Sequence, residues 1–211
     1  MNGQNVIRLD PNRRPRRAFL EQSTIAMIIF LIFDAMMFAG MVGIFLLTRT
    51  AAGEPWPPAG QPWFPPEETA INTAALLLSG VLVFLAARAS KKPKRRIAPL
   101  LFTAIVLGTF FVFFQGVVWV SLIREGLTLT STQHGNFFCL IVGMHAANAV
   151  GGLIFLGIVW LRLKPFHDDD DDDDDDDEPR ESLSSGTFLA ARLFWYFVVG
   201  IWPCLYPCLY L

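Results

Sequence analysis

Four side chains able to do chemistry lie in the middle of long apolar runs: Asp34, Gln115, His145 and Asn148. Asp34 sits in IFLIFDAMMFAG and Gln115 closes LGTFFVFFQ. His145 and Asn148 belong to HGNFFCLIVGMHAANAVGGLIFLGIVW, which no acid or lysine interrupts. A carboxylate at the centre of a bilayer costs ~2.5–3.5 kcal/mol even on the lenient insertion scale, so Asp34 must pair, take up a proton or face a neighbouring subunit. Residues three apart on a helix share a face, which puts His145 and Asn148 side by side. Groups of this kind either tie helices together by hydrogen bonds or handle protons. The residue types leave both roles open, with Gln115 a natural partner for His145.

Metal chemistry is a third possibility, and the spacing argues against it. His134 precedes His145 by eleven positions, about 16 Å along a helix, and His167 abuts an acidic tract beyond the other end of the run. The three histidines cannot converge without strong distortion. Cys204 and Cys208 have the spacing of packing neighbours and lack the flanking ligands of a zinc or iron–sulfur site. Nothing resembles a nucleotide-binding loop, a serine nucleophile with its base, or a paired acid–base site. No catalytic residue and no metal ligand is assigned.

The elements that must position these groups follow from the apolar runs. Of 211 residues, 53% are hydrophobic and 17% charged, below the ~25% charged share of a soluble domain. Five stretches are long enough to cross a bilayer at 1.5 Å per residue: about 19–47, 69–89, 99–123, 134–162 and 188–211. The expected fold is all-α, a polytopic membrane bundle of five transmembrane helices spanning 19–211. Residues 1–18 form a basic arm with Arg8, Arg13, Arg14, Arg16 and Arg17, and Pro11 and Pro15 oppose a regular helix there. The proline-rich WPPAGQPWFPP connection holds Trp56 and Trp63, suited to headgroup-level anchoring, and Trp195 is read in the same way.

Charge then orients the bundle. Arg88, Lys91, Lys92, Lys94, Arg95 and Arg96 crowd the second connection, whereas the first and third hold Arg49 and Arg124. The positive-inside rule puts the N-terminus inside and, after five spans, the C-terminus outside. The formal charge of -2 hides this, because Asp168 to Asp177 with Glu178 supply more than half of the nineteen acids. Loop 165–187, which carries that run, is expected to be disordered, since like charges repel and nothing there can be buried. The basic remainder therefore reads as membrane orientation and not as nucleic-acid binding. The recurring glycines of the spans, among them Gly40, Gly43, Gly80, Gly108, Gly116, Gly143, Gly151 and Gly152, are expected to be helix-packing surfaces.

Taken in order, these landmarks resemble subunit III of cytochrome c oxidase in its short five-helix form. FDAMMFAG matches the pattern Ser-Glu-x-Met-Phe-Phe-Ala, with Asp34 in the place of the glutamate and Met36, Phe38 and Ala39 beside it. WPPAG is followed by INTAALLLSG, where Asn72, Thr73, Leu77, Leu78, Ser79 and Gly80 fit closely, and Gln115 matches in LGTFFVFFQ. His145 matches the first histidine of Thr-Gly-x-His-Gly-x-His and Asn148 stands in the place of the second. In FWYFVVGIW, Trp195 and Phe197 match Tyr-Trp-His-Phe-Val-Asp, while Tyr196 and Val199 replace its His and Asp. Val118 likewise stands where the pattern carries a glutamate.

The resemblance implies a subunit without a catalytic centre in a proton-pumping terminal oxidase of a bacterial inner membrane. It implies direct packing on subunit I, a complex that includes subunit II and further respiratory subunits, haem and copper held by those partners, and bound phospholipid. Asp34, His145, Gln115 and Asn148 would serve proton uptake or lipid contact. A related branch accompanies nitric oxide reductases and differs in its partner, not in its fold. An independent transporter or channel would instead need a water-accessible path through Asp34, Gln115 and His145.

Overall fold

The computed structural model describes residues 15–52, 66–89, 97–126, 133–163 and 185–210. The described residues form five helices: α1 (Pro15–Ala52), α2 (Pro66–Arg88), α3 (Ile97–Arg124), α4 (Gln133–Leu163) and α5 (Ser185–Tyr210). Each contains a stretch long and apolar enough to cross a membrane. The chain is thus an all-α bundle of five membrane-spanning helices.

Helix ends follow local chemistry. Proline lacks the N–H that the first turn leaves unpaired in any case, so it is tolerated at the first helical position. Pro15 and Pro66 accordingly open α1 and α2. α1 therefore starts inside the stretch expected to be an arm, and Pro15 initiates the helix where it was expected to oppose one. α5 begins at Ser185, within the stretch expected to be an acidic loop. At the far end of α3 the Gly126 amide donates to the Ile123 carbonyl at 3.0 Å with φ of 98°, a left-handed cap that glycine adopts without strain. Trp56, Trp63, His167 and the Asp168 to Asp177 run lie outside the described residues.

Packing divides the bundle unevenly. α3 joins α2 and α4, α5 packs on α1, α2 and α4, and α1 packs on α5 and α4. The core runs along the inner faces of these helices, with Phe38, Leu76, Leu101, Phe111, Ile141, Leu156, Trp195 and Trp202 almost wholly buried. Outward faces carry large apolar side chains such as Phe33, Met36, Leu47, Ile71 and Phe113, as helices bathed in lipid require. Only 11% of the α1 span is buried, against 39% for α4 and for α5.

Candidate functional site

All four polar residues singled out by type are held between helices. Asp34, Gln115 and His145 are buried and Asn148 is half-buried. Asn148 Nδ2 donates to Asp34 Oδ2 at 2.6 Å, joining α4 to α1 across 114 positions of sequence. Asn72 Nδ2 on α2 donates both to Gln115 Oε1 and to the Phe111 carbonyl, each at 3.3 Å, joining α2 to α3. His145 Nε2 lies 3.0 Å from the Val198 carbonyl oxygen of α5. A carbonyl can only accept, so that ring nitrogen carries a proton. The contact joins α4 to α5, and the expected pairing of His145 with Gln115 gives way to it. His145 and Asn148 do share a face, but they serve different neighbours.

Aromatic rings close the space around the imidazole. Phe111 stands edge-on to it with centroids 5.8 Å apart, and Trp202 lies at 4.7 Å, tilted by 33°. Phe111 and Trp202 meet each other edge-to-face at 5.1 Å. Such offset and T-shaped arrangements are the favoured ones, worth ~0.5–1.5 kcal/mol beyond area burial.

Two tryptophans of α5 pin that helix to α2. Trp195 Nε1 donates to Ser79 Oγ at 3.1 Å, and that hydroxyl donates to the Leu76 carbonyl at 2.7 Å. Trp202 Nε1 donates to Thr73 Oγ1 at 2.8 Å, and that hydroxyl donates to the Thr69 carbonyl at 2.8 Å. Each hydroxyl thus accepts from an indole while donating to its own helix. The structure corrects the reading of Trp195 as a headgroup anchor, for its side chain is 0% exposed. The indole fits because Gly108 and Gly152 flank it: a Cβ at either would come within 2.7 Å of the ring. These two glycines are packing surfaces in the expected sense, as is Gly80 against Val199. At Gly40, Gly43 and Gly116 no described residue lies within 4 Å of a Cβ built there, so they pack on no other helix of this bundle.

The polar groups are thus distributed as bonds between helix pairs. Among the described residues no group of three or more His, Cys, Asp or Glu is placed to hold a metal ion. Sequence reasoning overlooked the role of Ser79 and Thr73 as acceptors, and it overlooked Arg192, a cation within the last span.

The family model for cytochrome c oxidase subunit III matches residues 17–211. The chain belongs to the cytochrome c oxidase subunit III family. Among curated proteins it is 26% identical over 198 residues to a probable cytochrome c oxidase subunit 3 of Nocardia farcinica, covering 89% of this chain and 86% of the relative. It is 30% identical over 190 residues to cytochrome c oxidase subunit 3 of Gallus gallus, covering 87% and 67%. The same protein of Struthio camelus is also 30% identical over 190 residues, with the same coverage of each chain. The chain is therefore a non-catalytic, multi-pass membrane subunit of the cytochrome c oxidase type. Two departures from the resembled motifs meet in space: Asp34, in the place of a glutamate, is bonded to Asn148, in the place of a histidine.

Proposed function

We propose that the chain is subunit III of a proton-pumping respiratory terminal oxidase in a bacterial inner membrane. It packs directly against the haem-bearing subunit I, within a complex that includes subunit II. Haem and copper belong to those partners, and the work of this chain is to stabilise the catalytic subunit and to support proton uptake and lipid binding. The observation that carries this reading is the family match along residues 17–211, joined to a fold in which the intramembrane polar groups bond helix to helix. The bacterial assignment draws support from the Nocardia farcinica relative. The distribution of Lys and Arg favours an inward N-terminus and an outward C-terminus.

Asp34 and Asn148 tune the seat of α1 on the remainder of the bundle, and His145 and Gln115 hold the remainder in register. α1 exposes Phe33, Met36 and Leu47 and leaves Gly40 and Gly43 open, which suits a helix lying between the bundle and other membrane components.

The test is purification of the tagged chain in mild detergent, with an optical spectrum and mass spectrometry of the chains that co-elute. A reduced-minus-oxidised haem spectrum together with an oxidase subunit I is the expected result. A colourless, partner-free chain, under conditions that keep other membrane complexes whole, would overturn the reading. Asp34→Asn should leave the haem content of the complex intact, and loss of haem would show that Asp34 has a role in assembling the catalytic subunit.

A further inference from the structure

Arginines within the spans follow a rule that one of them breaks. Arg49, Arg88, Arg124 and Arg162 all occupy the last turn of their helices, where the negative end of the helix dipole favours a cation and water is near. Arg192 has neither advantage. It stands inside the span Gly186–Leu209, about 9 Å along the helix from Gly186. Its guanidinium rests over the Phe188 ring at 5.9 Å, and no carboxylate among the described residues forms an ion pair with it. A cation within a span is retained by reaching the interface or by meeting a counter-charge.

The same side of α5 carries a second unmet demand, three turns on. Eleven residues at about 100° each bring Pro203 to within about 20° of Arg192, and Pro207 falls within about 60°. Both prolines lie inside the helix and both are exposed. A proline has no N–H, so the carbonyls four residues earlier, those of Val199 and Pro203, lose the amide donor that a regular helix would give them. Gly200, beside them, is exposed, and nothing lies within 4 Å of a Cβ built there. This side of the helix is therefore smooth enough for another backbone to come close. α5 packs on α1, α2 and α4, and none of these covers it.

Whatever covers this side must supply a negative charge at one end and hydrogen-bond donors at the other. Acyl chains have no donor for the freed carbonyls, whereas the hydroxyls of a neighbouring helix satisfy such groups in membrane proteins. A second copy of this chain is a poor fit. Within the described spans its one carboxylate is Asp34, which is buried and already bonded to Asn148. We infer that the side of α5 marked by Arg192, Pro203 and Pro207 is the docking surface for a transmembrane helix of a different chain, one that presents an Asp or Glu to Arg192 and a Ser or Thr hydroxyl to the Val199 carbonyl. A carboxylate accepts bidentately from the planar guanidinium, which fixes the register of the incoming helix as well as attracting it. Gly200 admits that helix at close range.

This inference rests on the reading of the chain as a subunit of an oxidase, and it is tested on the intact, haem-containing complex. A photo-cross-linking amino acid in place of Pro207 should join the chain to a membrane-spanning peptide of another subunit that contains an Asp or Glu, identified by mass spectrometry. Arg192→Leu should raise the fraction of the chain lost in a detergent wash by about tenfold, and Arg192→Lys, which keeps the charge, by less than about threefold. Arg192→Glu alone should lose the chain as readily, and changing the partner's acid to arginine in the same complex should restore it. A merely structural arginine would show no such rescue. Cross-links confined to lipid or to copies of this chain, or equal retention of wild type and Arg192→Leu, would overturn the docking surface. If Arg192→Leu fails to insert, the cross-link from position 207 with Arg192 in place decides. A wild-type complex that purifies without haem refutes the subunit reading, whereas a haem-bearing complex with no cross-link to an acidic span of another chain refutes this surface alone.

Discussion

α1 and α5 are both long apolar helices of one bundle, yet they are held by opposite means. α5 inserts Trp195 and Trp202 between its neighbours, and both indoles are 0% exposed and hydrogen-bonded. α1 has Phe38 and Phe45 in the core and Asp34 as its bonded polar group toward α4, while most of its surface faces outward. In lipid, apolar surface gains nothing by leaving its surroundings, so association depends on close packing and a few polar bonds. α5 is the more deeply buried of the two, and three of the bonds described above end on it. The difference separates a helix at the centre of the bundle from one at its margin.

Substitutions along the two helices can break that contrast or sharpen it. The largest effect is expected for Trp195→Ala, about 3–5 kcal/mol, because it empties a fully enclosed site and strips Ser79 of its donor. Thermal unfolding of the detergent-solubilised chain checks it, and a loss no greater than that of an exposed residue would erase the distinction. Gly152→Ala should cost about 1–3 kcal/mol by the same measurement, since its Cβ would stand 2.7 Å from the Trp195 ring. On α1, Asp34→Leu should cost about 1–3 kcal/mol by leaving Asn148 without its acceptor. Asn148→Leu added to it should then cost little more, and a double-mutant cycle reads that coupling directly. Trp202→Phe keeps a ring against His145 and removes the bond to Thr73, for about 0.6 kcal/mol, the average found for such bonds between membrane helices. Met36→Ala, at an exposed position of α1, should change stability of the isolated chain by less than about 0.5 kcal/mol. Its effect belongs in retention of the chain by the purified complex.

The helices were legible because five apolar runs separated by charged or proline-rich stretches admit few other readings in a bilayer. Asp34, Gln115, His145 and Asn148 stood out for the same reason, as polar groups where lipid cannot satisfy them. Their partners were not legible. Which carbonyl or amide meets His145 depends on how α4 and α5 cross, and the residue that bonds Asp34 is 114 positions away. Trp195 was misplaced because indoles favour the interface, and nothing local reveals that Gly108 and Gly152 hollow out a slot for it. Ser79 and Thr73 were easy to pass over because hydroxyls in membrane helices ordinarily bond back to their own carbonyls. These do that as well, and accept a second bond from an indole.

The paired indole bonds between α2 and α5 have a mechanical consequence. The two helices run antiparallel, and Trp195–Ser79 and Trp202–Thr73 fasten them at two separated heights. A single pin would let one helix swing about it, whereas two pins on one seam remove that hinge. Sliding by even one residue would break both at once. α2 and α5 therefore move as a single spar, and strain imposed on the subunit must be taken up at other seams of the bundle.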